Sequence, residues 1–428
     1  ESKGMISFMR DLQPENFEDI IAGISLYRPG PMDQIPRYIE NKKNPKEISY
    51  LHPILEPILN VTYGCMVYQE QVMQIFRDVA GFTMGRSDLV RRAMSKKKID
   101  VMNQEGHVFI HGEVDEAGHV IIDGAVRRGV PESIAEKIYD EMKDFAKYAF
   151  NKSHAAAYAV IAYQTAWLKC YYPKEFMAAL MSSVMDDEKK VSKYIEDCRK
   201  IGLKVLPPDV NESYDKFSVK NGRIRFGLGA IKGLGKNAIV SIVNARAHEG
   251  AFKGFRDFCE KVDLKALNKR MVEGLIKSGA FDFTGNARSQ LMGGSERMLD
   301  QIQREKRDRL AGQISLLDFG GNSNLKEDFL PDVPPYTKEQ RLALEKEVLG
   351  LYVTGHPLEK YEHILKDQTN LNSSMLDSFE ELRDSGIRDG GAVIIGGLIN
   401  DVKNQITRNG KLMAFMTLED LYGRLEVV

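Results

Sequence analysis

The sequence has few cysteines, a single tryptophan and no excess of charge of either sign. Its four cysteines lie far apart and form no CxxC pair, which argues against a zinc knuckle or a redox pair and favours a reducing cytoplasm. Long apolar runs are also missing. The longest uncharged run, residues 153–168, is shorter than the ~20 apolar residues that span a bilayer. We therefore expect a cytoplasmic protein without a membrane segment.

The length of 428 residues predicts roughly two to four domains, because a domain usually holds about 100–200 residues. With 43% hydrophobic and 28% charged residues, the composition is that of a folded globular protein. Residues 1–5 lack the basic and apolar segments of a signal peptide. They also lack an initiating methionine at the first position. We therefore expect the chain to be a piece of a longer protein.

Charge is distributed unevenly along the chain, although the formal net charge is only −1. Residues 84–98 hold six basic side chains and one acidic one, and residues 219–277 hold thirteen basic and five acidic ones. Residues 326–389 are acidic, with eight basic and fourteen acidic side chains. Because phosphate-backbone binding depends on local clusters of Lys and Arg, the two basic segments are candidate nucleic-acid or nucleotide contacts. A solvated helix face is the ordinary alternative for either segment alone.

Helical patterns dominate the sequence. Residues 154–181 predict a mostly buried helical region with a break at Pro173. Residues 107–111 and 119–123 are short β-rich runs, which predict a hairpin with its turn at 115–118. Further helices are predicted over residues 16–27, 68–79, 85–95, 132–146 and 296–310.

Two more hairpins are predicted where an Asn-Gly pair separates β-rich runs. The first lies between residues 217–219 and 223–226, around Asn221-Gly222. The second lies between residues 392–395 and 412–416 and opens an antiparallel β region at the end of the chain. Before that region, a stretch rich in Gly, Asn and Ser predicts a linker.

The segment Ile231-Lys-Gly-Leu-Gly235 precedes a helical run and matches the helix-hairpin-helix pattern. Its glycines allow close backbone approach, and the first N–H groups of the following helix can donate to a phosphate oxygen. A nucleotide-binding loop is the rival interpretation, but no Walker Gly-Lys-Ser/Thr follows. A purely structural turn is the second alternative. The pattern predicts sequence-neutral duplex binding by Lys232, Gly233, Gly235 and Lys236.

Two other segments carry groups suited to a triphosphate. Arg91 and Arg92 are adjacent on a predicted helix that ends in lysines, and guanidinium groups bind phosphate through two parallel hydrogen bonds. Lys152, Ser153 and His154 stand before another helix, where the helix dipole favours anions. Taken separately, each segment could also be explained by surface polarity or helix capping.

These segments resemble blocks of the alpha subunit of bacterial DNA polymerase III, a C-family DNA polymerase, and they occur in the family's order. The resemblance implies a mainly α, multidomain fold with helical fingers, a small β-hairpin insertion and a truncated, OB-like β terminus. The matching blocks are Leu26–Pro31, Thr62–Gly64, Tyr68–Gln71, Arg91–Lys98, Phe150–Tyr158, Pro173–Phe176, Gly229–Gly233, Ser278–Asp282 and Gly350–Pro357.

The resemblance also implies a division into five regions and a role for each. The predicted regions are 1–205 (fingers with an adjoining palm remnant), 206–290 (helix-hairpin-helix), 291–335 (linker with a clamp-binding motif), 336–389 (acidic connection) and 390–428 (first OB-like strands). By the same resemblance, a short linker peptide would dock on the sliding clamp through Gln313, Leu316, Leu317 and Phe319. A short peptide that packs on its own domain is the ordinary alternative.

For the nucleotide site, the resemblance implies that Arg91 and Arg92 bind the incoming triphosphate. Lys152, Ser153 and His154 would line the same cleft. The second hairpin, at residues 267–270, lacks the Gly-x-Gly signature.

Nucleotidyl transfer needs carboxylates that hold two Mg²⁺ ions, and the family takes them from the palm, including an Asp-x-Asp pair. This sequence contains no Asp-x-Asp, and Glu113-Val-Asp115 reads as a solvated turn. We therefore expect no catalytic or metal-ligating residue here, an inactive isolated chain, and a Mg²⁺-dependent DNA-directed DNA polymerase as the whole protein. Its expected partners are primer–template DNA, deoxynucleoside triphosphates, the sliding clamp and other replisome subunits. The alternative is a non-catalytic module that binds DNA and docks on the clamp.

Overall fold

The chain folds into two compact units, residues 1–167 and 168–428. The computed structural model describes residues 3–29, 31–96, 98–145, 150–310, 330–377, 382, 385–407 and 410–428. The mainly α class with small β elements is confirmed. The predicted clamp peptide, with Gln313, Leu316, Leu317 and Phe319, lies outside the described residues.

Among its described residues, the first unit is helical apart from one small hairpin, in which strands β1 (Glu113–Val114) and β2 (Val120–Ile122) pair antiparallel. Its helices are α1 (Lys3–Leu12), α2 (Phe17–Leu26), α3 (Ile35–Lys43), α4 (Glu56–Leu59), α5 (Gln69–Ala80), α6 (Met84–Ser95), α7 (Ile99–His111), α8 (Gly124–Arg127), α9 (Glu132–Phe145) and α10 (Lys152–Tyr171), of which the last four residues are counted with the second unit.

Helix α5 is the centre of this unit because its apolar residues recur on one face. Ile75, Phe76 and Val79 are fully buried there. Helix α6 packs on the same core through Val90 and Met94, as a 3.6-residue period requires. Of the two arginines between those residues, Arg92 lies on the opposite, exposed side of α6, and Arg91 lies at the edge of the buried face, where it bonds to Gln69 of α5.

The predicted strand at residues 107–111 is wrong, because these residues form the last turns of α7. Phe109 is buried, and its ring lies 5.3 Å from that of Phe76 and 5.6 Å from that of Tyr139. Packing against helices thus overrides the β-rich composition. The second strand and the turn are correct, since Asp115 accepts hydrogen bonds from the amides of Ala117 and His119.

The prediction of a mostly buried helix after His154 is wrong for α10. Only Ala155 and Ala159 are buried, one turn apart on a single side. Tyr163 and Trp167 are among its exposed aromatic residues. The apolar residues of α10 surround the helix instead of forming one stripe, so the core contacts only its narrow alanine side.

The second unit combines eight helices with two three-stranded sheets among the described residues. In sequence numbering, the strand orders are β3-β5-β4 and β6-β7-β8. The helices are α11 (Pro173–Ser183), α12 (Glu188–Lys200), α13 (Lys236–Glu249), α14 (Phe255–Lys261), α15 (Lys269–Lys277), α16 (Arg288–Leu310), α17 (Lys338–Leu349) and α18 (Glu362–Gln368). The strands are β3 (Val205–Leu206), β4 (Ser218–Lys220), β5 (Arg223–Arg225), β6 (Leu398–Ile406), β7 (Leu412–Glu419) and β8 (Arg424–Val427).

The predicted hairpin at Asn221-Gly222 is confirmed, and both residues have positive φ, 51° and 70°. The terminal sheet begins later than predicted. Residues 392–395 are not a strand, because the backbone of Ile394 bonds to Asn370 instead of to a neighbouring strand. The first strand of that sheet is β6, after Gly397.

Candidate nucleotide and nucleic-acid contact surfaces

The start of α5 is a fixed point in the first unit. The side-chain oxygen of the buried Gln71 accepts hydrogen bonds from the amides of Val67 and Tyr68, at 2.8 and 2.9 Å. Its amide group donates to the carbonyl oxygen of Ile58 and to the hydroxyl of Thr62, at 3.2 and 2.7 Å. Because every one of these bonds is buried, the residues beside Gln71 project from a rigid base.

Arg91 and Arg92 share one carboxylate, that of Asp88 one helical turn earlier. Arg91 donates to Asp88 at 2.7 and 3.1 Å and to the side-chain oxygen of Gln69 at 3.0 Å. Arg92 pairs with the other oxygen of Asp88 at 2.7 Å. Hydrogen bonds from these arginines lower the pKa of the Asp88 carboxyl, chiefly that from Arg91. The side chain of Arg92 is 62% exposed and that of Arg91 15%.

The start of α10 is held by acidic side chains. The carboxylate of Glu70 accepts hydrogen bonds from the amide of Lys152, at 3.1 and 3.2 Å, and from the side-chain amide of Asn151 at 2.9 Å. Asn151 also caps the helix, since its oxygen accepts from the amide of His154 at 2.8 Å. The ammonium of Lys152 pairs with Glu18 at 2.9 Å.

Aromatic and basic side chains surround the same helix start. The exposed ring of His154 lies between those of Phe150 and Tyr158, at 5.4 and 4.9 Å. The guanidinium of Arg28 lies 4.1 Å above the ring of Phe150. Ser153 is exposed beside them. Polar and aromatic groups thus surround the predicted anion site.

We call Gln69, Glu70, Arg91, Asn151 and Lys152 the finger cluster. This cluster connects the two segments predicted to bind the triphosphate. Gln69 binds Arg91 through its side chain, and its backbone N–H donates to the carbonyl oxygen of Phe150 at 2.9 Å. The sequence prediction missed Gln69 and Glu70, although they lie inside a block that carried the resemblance. Its two cations, Arg91 and Lys152, pair with the neighbouring carboxylates of Asp88 and Glu18, so a polyanion must compete with those carboxylates for them.

The predicted helix-hairpin-helix turn lies in the second unit, before α13. Ile231 and Leu234 are buried in the core, and the amide of Leu234 donates to the carbonyl oxygen of Ile231 at 3.1 Å. Gly233 stands between them with φ of +77° and is exposed. A side chain there would meet open space, but its backbone would be strained. The apolar anchors therefore present the turn outward.

The two lysines of this turn differ in their surroundings. Lys232 pairs with Glu188 of α12 at 2.8 Å, while its backbone amide donates to the carbonyl oxygen of Val348 at 2.8 Å. Lys236 is the first residue of α13 and is exposed. Lys232 must give up an ion pair to bind phosphate. Lys236 already stands at the positive end of a helix.

The second helical hairpin, formed by α14 and α15, lies against the first, which consists of the turn at residues 231–235 and α13. Asn268 caps α15 by accepting from the amide of Met271 at 2.9 Å, and Met271 closely approaches Gly235. Gly274 of α15 also lies beside Ile231. At this hairpin an asparagine cap stands where the Gly-x-Gly signature is missing, and a search for that signature in the sequence does not find it.

Two features are absent from the described residues. No group of three or more His, Cys, Asp or Glu in that part of the chain is arranged to hold a metal ion. Within the same residues, no helix is both long and apolar enough to cross a membrane.

Two family models match the chain, one in each unit. Residues 1–117 match the bacterial DNA polymerase III alpha subunit finger domain, which includes Arg91 and the start of α5. Residues 202–291 match the helix-hairpin-helix motif, which includes both helical hairpins.

The whole chain aligns with DNA polymerase III subunit alpha of several bacteria. It is 40% identical over 437 residues to the protein of Deinococcus radiodurans and covers 32% of it. It is 39% identical over 433 residues to that of Borreliella burgdorferi and 41% identical over 438 residues to that of Haemophilus influenzae, covering 36% of each. The chain thus spans about a third of the length of the curated relatives it matches. Over its whole length the chain is therefore similar to that third of the bacterial DNA polymerase III alpha subunits.

Proposed function

We propose that the chain works as part of a bacterial replicative DNA polymerase, which adds deoxynucleotides to a primer 3′ end as the template directs. The observation that supports this most is the finger cluster, in which the adjacent residues Gln69 and Glu70 bind the Arg91 side chain and the Lys152 backbone amide, two residues distant in sequence. Several cations around one point suit a triphosphate better than a single phosphate. Arg92, Ser153 and His154 would contact the same nucleotide.

The hairpin turn supports the second part of the proposal, sequence-neutral contact with the duplex. Lys236 and the exposed Gly233 can approach a phosphate closely, with Lys232 and Gly235 beside them. The whole polymerase would use Mg²⁺ held by residues outside those described here. It would work in the cytoplasm with primer–template DNA and other replisome subunits.

A charge reversal at Arg92 tests this function. In the polymerase containing this chain, we expect Arg92→Glu to lower single-nucleotide incorporation roughly a hundredfold and to leave duplex affinity within about twofold. Arg77→Glu is the matched control, because Arg77 is an exposed arginine of the same unit that pairs with the neighbouring Asp78. Equal loss of incorporation and duplex affinity would favour a non-catalytic DNA-binding and clamp-docking module.

The clamp contact is a separate part of the proposal, carried by the sequence alone. A peptide of residues 313–319 would insert Leu316, Leu317 and Phe319 into a hydrophobic cleft of the sliding clamp, with Gln313 fixing its register. We expect this peptide to bind the clamp and a version with alanine at the three apolar positions not to bind. Equal binding of the two peptides would remove the docking role.

A further inference from the structure

The first two residues of α5 join parts of the first unit that are distant in sequence. Gln69 accepts a hydrogen bond from Arg91 on α6 and donates one to the carbonyl oxygen of Phe150, at 3.0 and 2.9 Å. Glu70 accepts hydrogen bonds from the amide of Lys152 at the start of α10. The dipeptide therefore connects α6 with α10.

This connection starts from a rigid base. Tyr68, directly before the dipeptide, is 1% exposed, and Gln71, directly after it, is 3% exposed. Gln71 makes four buried hydrogen bonds to the surrounding backbone and to Thr62. Because these bonds fix both sides of the dipeptide, Glu70 can restrain the start of α10 instead of following it.

Glu70 binds the backbone of α10 and leaves the side chain of Lys152 to another partner. Its carboxylate faces the amino terminus of a 20-residue helix, where the dipole favours negative charge. The same carboxylate holds Asn151, whose oxygen caps that helix. The ammonium of Lys152 points instead to Glu18, which is 42% exposed and so replaceable by a phosphate.

We propose that Glu70 is a positioning residue for the triphosphate site. Its carboxylate fixes the start of α10 relative to Arg91, so that Lys152 and Arg91 reach the incoming nucleotide with their spacing already set. The inference rests on the proposed function, in which these two cations bind the triphosphate. The rival role is opposite in sign: a carboxylate at a helix amino terminus could compete with the nucleotide for the same amide.

Steady-state incorporation of one nucleotide by the polymerase containing this chain separates the two roles. We expect Glu70→Ala to raise the nucleotide KM roughly tenfold and to change kcat by less than about twofold. Glu70→Gln keeps an oxygen that can accept from the Lys152 amide, so it should recover most of the loss. Glu132→Ala, a loss of the same charge in the first turn of α9, should leave KM unchanged.

Hydrogen exchange on the 428-residue chain tests the restraint itself. Glu70→Ala should speed exchange at residues 151–156 and leave the buried α5 segment 72–79 protected, which separates a local release from unfolding. Glu70→Gln should restore protection at the helix start. Unchanged exchange at residues 151–156 would overturn the restraint.

The kinetic outcomes also separate failure of this inference from failure of the proposed function. If Arg91→Ala raises KM and Glu70→Ala does not, the positioning role is wrong while the triphosphate site stands. A lower KM for Glu70→Ala would establish competition and overturn positioning. If neither variant changes KM, the proposed nucleotide site is itself wrong.

Discussion

The finger cluster and the hairpin turn present positive charge in opposite ways. In the finger cluster, Arg91 and Lys152 are each held by a carboxylate, and a rigid base sets their spacing. In the hairpin turn, buried apolar residues and a left-handed glycine set the backbone, and Lys236 is exposed at a helix start. The first arrangement suits one polyanion of defined shape. The second suits any phosphate backbone.

The largest expected effects are opposite changes in incorporation and in duplex affinity for variants of the two surfaces. In the polymerase containing this chain, Arg91→Glu should lower incorporation roughly a hundredfold or more and leave duplex affinity within about twofold. Lys236→Glu should do the reverse, weakening the duplex roughly tenfold and leaving the nucleotide KM at saturating DNA unchanged. Single-turnover incorporation and duplex titration measure the two profiles. Matching profiles for both variants would mean that the two surfaces have no separate roles.

The next effect tests whether the hairpin acts through its backbone. Gly233→Val places a β-branched residue at φ of +77°, and we expect duplex affinity to fall about tenfold for every DNA sequence alike. Gly202→Val is the matched control, because Gly202 has φ of +74° and open space around it, outside the hairpin. Binding titrations with several unrelated duplexes check this. A loss that depends on DNA sequence, or an equal loss from Gly202→Val, would contradict a backbone contact.

The smallest effect concerns the paired lysine of the hairpin. Glu188→Gln frees Lys232 from its ion pair, so duplex affinity should rise about two- to threefold at low salt and return to the parent value at high salt. Glu249→Gln, which removes the same charge at the other end of α13, should change affinity less. The check is a salt series of duplex titrations. Weaker binding by Glu188→Gln would mean that the acid positions the lysine instead of competing for it.

Much of the fold could be predicted from the sequence where a local rule decides the structure. Asn221-Gly222 produced the expected hairpin, and the helix predicted over residues 68–79 is α5. The predictions failed where tertiary contacts decide. Phe109 lies in a helix because it packs on Phe76, although its neighbours favour strands.

In the candidate site, too, some features could be predicted from the sequence and others depend on tertiary contacts. Arg91 and Lys152 could be selected from residue type and motif alone. Their connection through Gln69 and Glu70 could not, because hydrogen bonds between residues 22 and 82 positions apart leave no local pattern in one sequence. The carboxylate at the start of α10 was missed for the same reason, as was the pairing of Lys232 with Glu188.

The most direct measurement of the central claim, that two independent surfaces bind nucleotide and duplex, is a double-mutant cycle. Arg91→Ala, Lys236→Ala and the double variant are compared by incorporation efficiency at subsaturating DNA and nucleotide. If the surfaces act independently, the two losses multiply, with a coupling free energy below about 0.5 kcal/mol. If the double variant has the same incorporation efficiency as the less active single variant, both residues serve one surface, which would contradict this account.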